Sequence, residues 1–264
     1  MPVTIGADPE LFLEDGAGKV ISVIGKIGGS KEKPKPVKAL GKGFAIQEDN
    51  VLLEYNIPAA KTSNQWVANH RVMLDYLRDL VGKMGLVLSN KASHSMDADQ
   101  LLHPRAFIFG CEPDFDAWAL AWNKKPESDD PAFRTGGAHV HIAYDNPNPA
   151  QSVKIARICD LLIGGPLALK DPDKKRSAFY GKPAAIRFKP YGLEYRTPSN
   201  YWIQSEANMA EVYRNAHRAV EWVVKYGNTQ YDNYEEFMLE AARIIKGEAP
   251  TTQGFVDLTG TVYV

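Results

Sequence analysis

Hydrophobic and polar residues alternate along the first part of the chain in a way typical of β-strands. The opening VTIGADPELFLED and the following GAGKVISVIG carry β-branched and aromatic residues on both sides of a glycine-containing turn, which predicts a hairpin. A second extended segment is predicted for FAIQEDNVLLEYNIP. Between them, GGSKEKPKP concentrates glycine, lysine and proline, so we expect an exposed loop there.

The pattern becomes helical from Ser63 onward. Apolar residues recur there at intervals of three and four as far as Met84, which predicts an amphipathic helix that Gly85 ends. Similar spacing predicts helices through VKIARICDLLI and through SEANMAEVYRNAHRAVEWVVKYG. Asn233 and Glu236 have the spacing of a capping box, which predicts a last helix ending at Gly247.

Further strands are predicted between and after the first two helices. GLVLS, AFIFGC and HVHIAY are short candidates, and AAIRFKPYGLEYRT reads as two strands joined at PYG. The strands come in hairpins instead of alternating strictly with helices. The predicted fold class is therefore α+β with an antiparallel sheet.

Composition narrows the classes of protein. Of the 264 residues, 44% are hydrophobic and 24% charged, and the formal net charge is -1, which argues against general affinity for nucleic acid or membrane. No apolar run reaches the roughly 18 residues that span a bilayer, and MPVTIGADPE lacks the layout of a signal peptide. We expect a cytoplasmic protein whose two cysteines, Cys111 and Cys159, are reduced.

Charged and metal-capable residues occur on five of the predicted strands. Residues two apart share one face of a strand, so His139 and His141 of GGAHVHI project together. The same spacing pairs Asp8 with Glu10, Glu54 with Asn56, Arg187 with Lys189, and Glu194 with Arg196. A single strand of this kind is ordinarily a water-facing one. The combination of carboxylates, imidazoles and guanidiniums, however, is typical of a site for divalent cations and phosphate.

These motifs, in their order, resemble a known family. GADPE, EDNVLLEYNIP, FGCEPDFDAW, RTGGAHVHI and YGKPAAIRFKPYGLEYRTPSNYW resemble the phage COOH-NH2 ligase type 2 family of the glutamine synthetase and glutamate-cysteine ligase superfamily, over about residues 4–204. The resemblance implies a glutamine-synthetase-like catalytic fold, with a curved antiparallel sheet forming a partial barrel flanked by helices. We expect one catalytic domain over residues 1–264, with a C-terminal helical portion at 205–248.

The resemblance also implies an activity and its residues. The activity is that of an ATP-dependent carboxylate–amine ligase that uses Mg²⁺, with Mn²⁺ as the alternative, and proceeds through an acyl phosphate. Matching motif positions imply metal ligation by Asp8, Glu10, Glu54, His139 and Glu194, and phosphate contact by the catalytic candidates His141, Arg187 and Arg196. Lys31 and Arg176 are further nucleotide-binding candidates, and the alternative for both is a solvated loop charge. Gly136 and Gly137, lacking a Cβ, would let the backbone approach a nucleotide.

Several questions stay open at this point. The partners are expected to be small-molecule or peptide carboxylates and amines, in the host cytoplasm if the chain is phage-encoded. Their identities are not specified, and a monomer and a homo-oligomer are both compatible with the sequence. The rival functions are a catalytically inactive phage binding or structural protein and a metal-dependent amide hydrolase. Cys111 as a nucleophile is disfavoured because the neighbouring Glu112 and Asp114 would raise the pKa of its thiol.

Overall fold

A computed structural model describes residues 3–107, 113–124 and 129–226 of the chain. The strands are β1 (Thr4–Leu11), β2 (Leu13–Glu14), β3 (Val20–Ile21), β4 (Lys35–Pro36), β5 (Ala45–Asp49), β6 (Leu52–Asn56), β7 (Val87–Leu88), β8 (Ser93–Ser95), β9 (Phe115–Asp116), β10 (Ala121–Trp122), β11 (Phe133–Thr135), β12 (Ala138–Ala143), β13 (Ala185–Lys189) and β14 (Gly192–Tyr195). The α-helices are α1 (Ser63–Gly82), α2 (Pro149–Cys159), α3 (Gly165–Lys170), α4 (Lys174–Phe179) and α5 (Glu206–Tyr226). Short 3-10 helices cover Lys38–Leu40, Ala98–Gln100, Pro104–Phe107 and Asn200–Gln204, and a π-helical turn, Asp160–Gly164, joins α2 to α3.

The central element is a sheet of nine antiparallel strands in the order β10, β9, β13, β14, β12, β1, β6, β5, β4. This confirms the predicted α+β class with an antiparallel sheet flanked by helices. The order is linear, and β10 and β4 are not paired with each other in the described part of the chain. The sheet is therefore open and does not close into a barrel.

The two faces of the sheet have opposite character. On one face the odd-numbered residues of β1 and the even-numbered residues of β12, such as Ile5 and Ile142, are fully buried in the main hydrophobic core. That core also contains the apolar sides of α1, α2 and α5, and its largest rings, Trp66 and Trp202, are stacked 5.5 Å apart. On the other face, the alternating positions carry charged side chains. Because the apolar positions of each strand pack against the helices, the alternating charged positions must lie on the opposite face of the sheet.

Most predicted elements are present, with some changes of extent. The opening hairpin is short and consists of β2 and β3. The second extended segment is instead a hairpin of β5 and β6, which turns at Asn50 with a φ of 54°. In α1 the side chain of Thr62 caps the first turn by accepting from the backbone N–H of Gln65.

Other predictions need correction or fall outside the description. The segment AFIFGC does not begin as a strand, because Ala106 and Phe107 belong to a 3-10 helix. Its remainder up to Cys111 and the last helix predicted before Gly247 lie outside the described residues. None of the described helices has the length and apolar character needed to cross a membrane.

Candidate active site

The register of the sheet brings most of the predicted site residues together on the charged face. Asp8 of β1 pairs with His139 of β12, and Glu10 pairs with Glu54 of β6. One step along, His141 pairs with Glu194 of β14, which in turn pairs with Arg187 of β13. Residues from positions 8 to 196 of the sequence therefore form one continuous surface across five strands.

One group of possible metal ligands consists of Asp8, His139 and Glu194, whose ligand atoms all lie within 4.8 Å of one another. The Nδ1 atom of His139 is 3.3 Å from Asp8 Oδ1 and 3.8 Å from Glu194 Oε1. His139 is buried, and its Nε2 atom has no hydrogen-bond partner among the described residues. Burial and the nearby charge of Arg196 lower the pKa of His139, which favours the neutral form that binds a metal.

A second group consists of Glu10, Asp49 and Glu54, again within 4.8 Å of one another. Burial and the charge of Asp49 raise the pKa of Glu10 to about 8. Burial and the charges of Asp8, Asp49 and Glu10 raise the pKa of Glu54 well above its usual range. The backbone N–H of Gly137 donates to Glu10 at 2.7 Å. Carboxylates crowded in this way would be relieved by a bound cation.

Asp49 was not identified as a site residue from the sequence. The signal was available, because a hairpin that pairs Gln47 with Glu54 places Asp49, two residues from Gln47, on the face of Glu54. It was missed because β5 and β6 were predicted as a single extended segment. The location of the turn at Asn50 was the missing information.

Three positively charged side chains surround Glu194, at the other end of the charged face from Glu10, Asp49 and Glu54. Lys189 Nζ lies 2.7 Å from Glu194 Oε2, Arg187 Nη1 lies 3.5 Å from Oε1, and Arg196 forms a close ion pair with the same carboxylate. Burial and the charge of Asp8 act to raise the pKa of Glu194, but Arg196 and the two histidines outweigh them and lower it to about 2. Glu194 is therefore an anion held among three cations.

Arg196 has several further partners. It donates to the hydroxyl of Tyr180, and its Nε atom lies 3.6 Å from the carboxylate of Asp114. Tyr180 lies over the site, with its ring centroid 6.5 Å from that of His139. Neither Tyr180 nor Asp114 was identified from the sequence, since both come from loops whose course the strand pattern does not predict.

His141 lies on the charged face, and its predicted contact with phosphate stays a prediction. Its Nε2 atom is 3.0 Å from Asp8 Oδ2, and its Nδ1 atom is 2.5 Å from the hydroxyl of Tyr191. Both ring nitrogens are thus engaged by protein groups in this geometry. Burial acts to raise the pKa of Asp8, but His141 and His139 outweigh it and hold that pKa well below the usual range.

The two remaining nucleotide-binding candidates differ in position. Arg176 is buried beside the site, and its guanidinium donates to the backbone carbonyls of Thr197 at 2.9 Å and Pro198 at 3.0 Å. Lys31 is exposed in a loop, and among the described residues it has no hydrogen bond or ion pair with the charged face. Nucleotide contact by either residue stays a prediction.

The two glycines of GGAHVHI are required by contacts within the protein. A Cβ at Gly136 would lie 2.9 Å from Asn200 Nδ2 and 3.0 Å from the backbone oxygen of Glu10. A Cβ at Gly137 would lie 2.7 Å from His139 Nε2. Contacts within the protein thus account for the glycine pair, and close approach of a nucleotide there stays a prediction. Cys159 is buried in the core.

Comparison with known proteins bears on this site directly. Residues 128–240 match the family model of phage phiEco32-like COOH.NH2 ligase-type 2. The resemblance predicted from the motifs is therefore confirmed over these residues, which include His139, His141, Arg187, Glu194 and Arg196. The motifs before residue 128 lie outside the match.

The remaining comparisons add less. Glutamine synthetase from Plasmodium falciparum is similar in structure, with a TM-score of 0.42 and 9% sequence identity over 84% of this chain and 52% of that one. The chain thus spans about half the length of that structure. The search of curated proteins produced no match.

Proposed function

We propose that this chain is an ATP-dependent carboxylate–amine ligase that forms an amide bond through an acyl phosphate. The observation that carries the proposal is the charged face itself, where two groups of possible metal ligands lie next to three cations gathered around Glu194. The name of the family model that residues 128–240 match supports the same class of reaction. We take residues 1–264 as a single catalytic domain acting on small-molecule or peptide substrates.

The residues present fit divalent cations. Carboxylate oxygens suit Mg²⁺, and a neutral imidazole beside them also suits Mn²⁺. In the first group the buried Oδ1 atom of Asp8 has no hydrogen-bond partner among the described residues and lies 3.3 Å from His139 Nδ1, so a cation bound there would satisfy it. In the second group the raised pKa of Glu10 and Glu54 reflects negative charge that a cation would offset. When bound, such ions would neutralise triphosphate charge and help to position the transferring phosphoryl group.

The chain's own cations would supply the rest of the electrostatic stabilisation. A free carboxylate is a poor acyl donor, so ATP first phosphorylates it, and negative charge accumulates on the phosphoryl oxygens during transfer. Glu194 belongs to the first group of possible metal ligands. Its carboxylate also holds three cations in place, namely Lys189, Arg187 and Arg196. Guanidinium groups pair with phosphate oxygens in a forked geometry, which suits this task.

The same cations favour a ligase over the rival functions. A metal-dependent amide hydrolase develops charge on one oxyanion, whereas phosphoryl transfer from ATP spreads charge over several oxygens that three cations can offset. A binding protein without catalysis has no need of buried carboxylates whose mutual repulsion opposes folding. Both rivals predict that the protein does not consume ATP.

ATP turnover tests the proposal. Purified protein is incubated with Mg²⁺, ATP and mixtures of amino acids, dicarboxylic acids and polyamines, while ADP and phosphate release are measured. We expect release in the wild type and at least a hundredfold loss, on the order of one key electrostatic contact, in Glu194→Gln and His139→Ala.

Matched controls are available on α5. Glu211→Gln removes an exposed carboxylate that pairs with Lys170, and His217→Ala removes a half-buried histidine remote from the charged face. Both should keep wild-type release. Equal release from the site variants and the controls would refute the site assignment, and a wild type that neither binds nor consumes ATP would refute the ligase.

A further inference from the structure

A cavity of about 440 Å³ lies between α1 and α5, on the opposite side of the sheet from the charged face. Its size falls in the range of roughly 300 to 1,000 Å³ that is usual for small-molecule sites. The proposed phosphoryl transfer uses none of the residues that line it. The cavity is therefore a separate feature of the molecule.

Contacts between the two helices hold the walls of the cavity in place. The indole Nε1 of Trp66 on α1 donates to the backbone oxygen of Met209 on α5 at 2.9 Å. Trp66 is fully buried and stacks on Trp202 at a distance of 5.5 Å. The residues that follow these two in the sequence, Val67 and Ala210, line the cavity. A ligand would thus enter a preformed space and would not have to separate the helices.

The inner part of the cavity is apolar. Val67 and Ala68 of α1 and Ala210 of α5 line it and are half-buried, and the more exposed Ala207 extends the same surface. The short alanine side chains leave room between the helices. An apolar group bound there would lose contact with water, which stabilises a complex by about 25 cal/mol for each Å² buried.

The mouth of the cavity is charged. Arg71, Glu206 and Arg214 line it and are exposed. Arg71 Nη1 lies 3.8 Å from Glu206 Oε1, and the two side chains are 61% and 59% exposed, so this ion pair is weak. Among the described residues the guanidinium of Arg214 has no hydrogen bond or ion pair. Two arginines and one glutamate leave one positive charge in excess.

This charge selects the class of ligand. One excess positive charge attracts a singly charged anion and disfavours an ammonium group. A second negative charge on the ligand would face Glu206 without a counter-charge of its own. Guanidinium groups bind carboxylates in a forked geometry. Ser63 and Asn64, in the first turn of α1, also line the cavity and add the partial positive charge of a helix N-terminus.

We propose that the cavity between α1 and α5 binds a small monocarboxylate with an apolar body. The carboxylate contacts Arg214 and Arg71 at the mouth, and the apolar body packs against Val67 and Ala210. This site is independent of the proposed function, because none of its residues lies on the charged face.

Equilibrium dialysis of the full chain with radiolabelled hexanoate, at neutral pH and low ionic strength, tests the proposal. We expect saturable binding of one hexanoate per chain. Arg214→Gln removes the charge at the mouth and should weaken binding about tenfold, the usual effect of one charge-assisted hydrogen bond. Ala210→Leu fills the inner part of the cavity and should abolish binding.

The two variants complement each other. Arg214 is exposed, so Arg214→Gln should keep the wild-type fold and melting temperature, and it tests the site even if Ala210→Leu does not fold. Arg78→Gln removes an exposed arginine of α1 outside the cavity and should bind hexanoate like the wild type. Hexylammonium has the same apolar body and the opposite charge, and a large excess of it should not displace hexanoate.

The charged face is the other place where a carboxylate could bind, and Lys189→Gln distinguishes it. This variant removes a cation of the charged face and should keep hexanoate binding. A loss in Lys189→Gln together with wild-type binding in Arg214→Gln would place the carboxylate on the charged face and overturn the proposal. So would the absence of saturable binding in the wild type, equal affinity in Arg214→Gln, or displacement by hexylammonium.

Discussion

Glu194 is the residue on which the ion pairs of the charged face converge. It is buried, and Arg187, Lys189 and Arg196 all contact its carboxylate. Replacing it by glutamine removes the negative charge and leaves the buried guanidinium of Arg196 without its main counter-charge. Breaking a buried ion pair from one side typically lowers stability by roughly 3 kcal/mol or more.

We therefore expect Glu194→Gln to lower the free energy of unfolding by about 3 kcal/mol in addition to its effect on turnover. Urea denaturation measures this directly. Glu211→Gln, on the exposed pair with Lys170, should change stability by less than about 0.5 kcal/mol. A Glu194→Gln protein as stable as the control would mean that the three cations do not depend on this carboxylate.

Asp49 lowers the stability of the metal-free protein, whereas Glu194 raises it, because Asp49 adds a third carboxylate beside Glu10 and Glu54. Asp49→Asn should raise the free energy of unfolding of metal-free protein by about 1 kcal/mol, since it relieves repulsion that raises the pKa of both neighbours. It should also reduce the extra stability gained on adding Mg²⁺. Denaturation with and without Mg²⁺ measures both effects.

The matched control for Asp49 is Asp75→Asn, an exposed carboxylate of α1 that pairs with Arg78. We expect it to leave the response to Mg²⁺ unchanged. If Asp49→Asn loses stability without metal, or gains as much from Mg²⁺ as the wild type, the second group is not a cation site.

At the scale of elements, the hairpin of β13 and β14 is anchored to the helical layer through Asp160. This buried carboxylate, in the π-helical turn, accepts from the Tyr195 hydroxyl at 2.6 Å, the Trp118 indole at 2.7 Å and the Ala184 backbone N–H at 2.7 Å. Tyr195 lies between Glu194 and Arg196 in the sequence. Asp160 therefore fixes the strand that carries both.

Asp160→Asn presents an amide N–H₂ to partners that are themselves donors, so at least one hydrogen bond is lost. We expect a loss of about 2 kcal/mol in the free energy of unfolding, measured by urea denaturation. Tyr195→Phe removes only one of the three donors and should cost less. A larger loss in Tyr195→Phe than in Asp160→Asn would contradict the anchoring role.

Helix α1 contributes a pH-dependent term to stability. His70 is buried among Trp66, Trp202 and Tyr55, and burial lowers its pKa from 6.5 to about 3. Below pH 6.5 the unfolded chain therefore binds a proton at this residue that the folded protein does not bind. Its contribution to stability is present above pH 6.5 and is lost progressively as the pH falls toward about 3.

The prediction is a free energy of unfolding that falls on acidification over this range, with a shallower fall in His70→Gln than in the wild type. The measurement is urea denaturation at a series of pH values. An identical slope in His70→Gln and the wild type would exclude His70 as the source.

At the scale of the whole molecule, ligand binding should stabilise the fold cooperatively. A ligand at a hundred times its dissociation constant adds about 2.7 kcal/mol to the free energy of unfolding. We expect Mg²⁺ and ATP together to raise the melting temperature by more than the sum of their separate effects, because the acidic and basic ends of the charged face attract opposite charges. Scanning calorimetry measures this, and strictly additive effects would contradict a shared site.

Much of this architecture could be predicted from the sequence. Strand alternation correctly predicted that His139 and His141 share one face of the sheet, and that Glu194 and Arg196 do so too. The prediction holds because the two-residue period of a strand is fixed by its backbone. It did not predict which strands are neighbours, since that depends on packing against the helices. The division of the metal-capable residues into two groups, with Asp49 in one of them, therefore came only from the structure.

Contacts made by turns and loops were the least predictable part. Tyr180, Asp114 and Tyr191 reach the charged face from segments with no regular pattern, so no periodicity marks them as site residues. The motifs that carry the resemblance to a ligase family contain all three residues, but the resemblance assigned none of them a role. Local sequence rules describe strands well and describe the segments between them poorly.

The position of β12 limits how the chain can change in length. This strand lies between β1 and β14, with Val140 and Ile142 in the core and His139 and His141 on the other face. Inserting or deleting one residue within it would exchange the two faces, moving imidazoles into the core and aliphatic groups into the site. Inserting or deleting two residues would keep the alternation. We therefore expect variants of this strand to fold only when its length changes by an even number of residues.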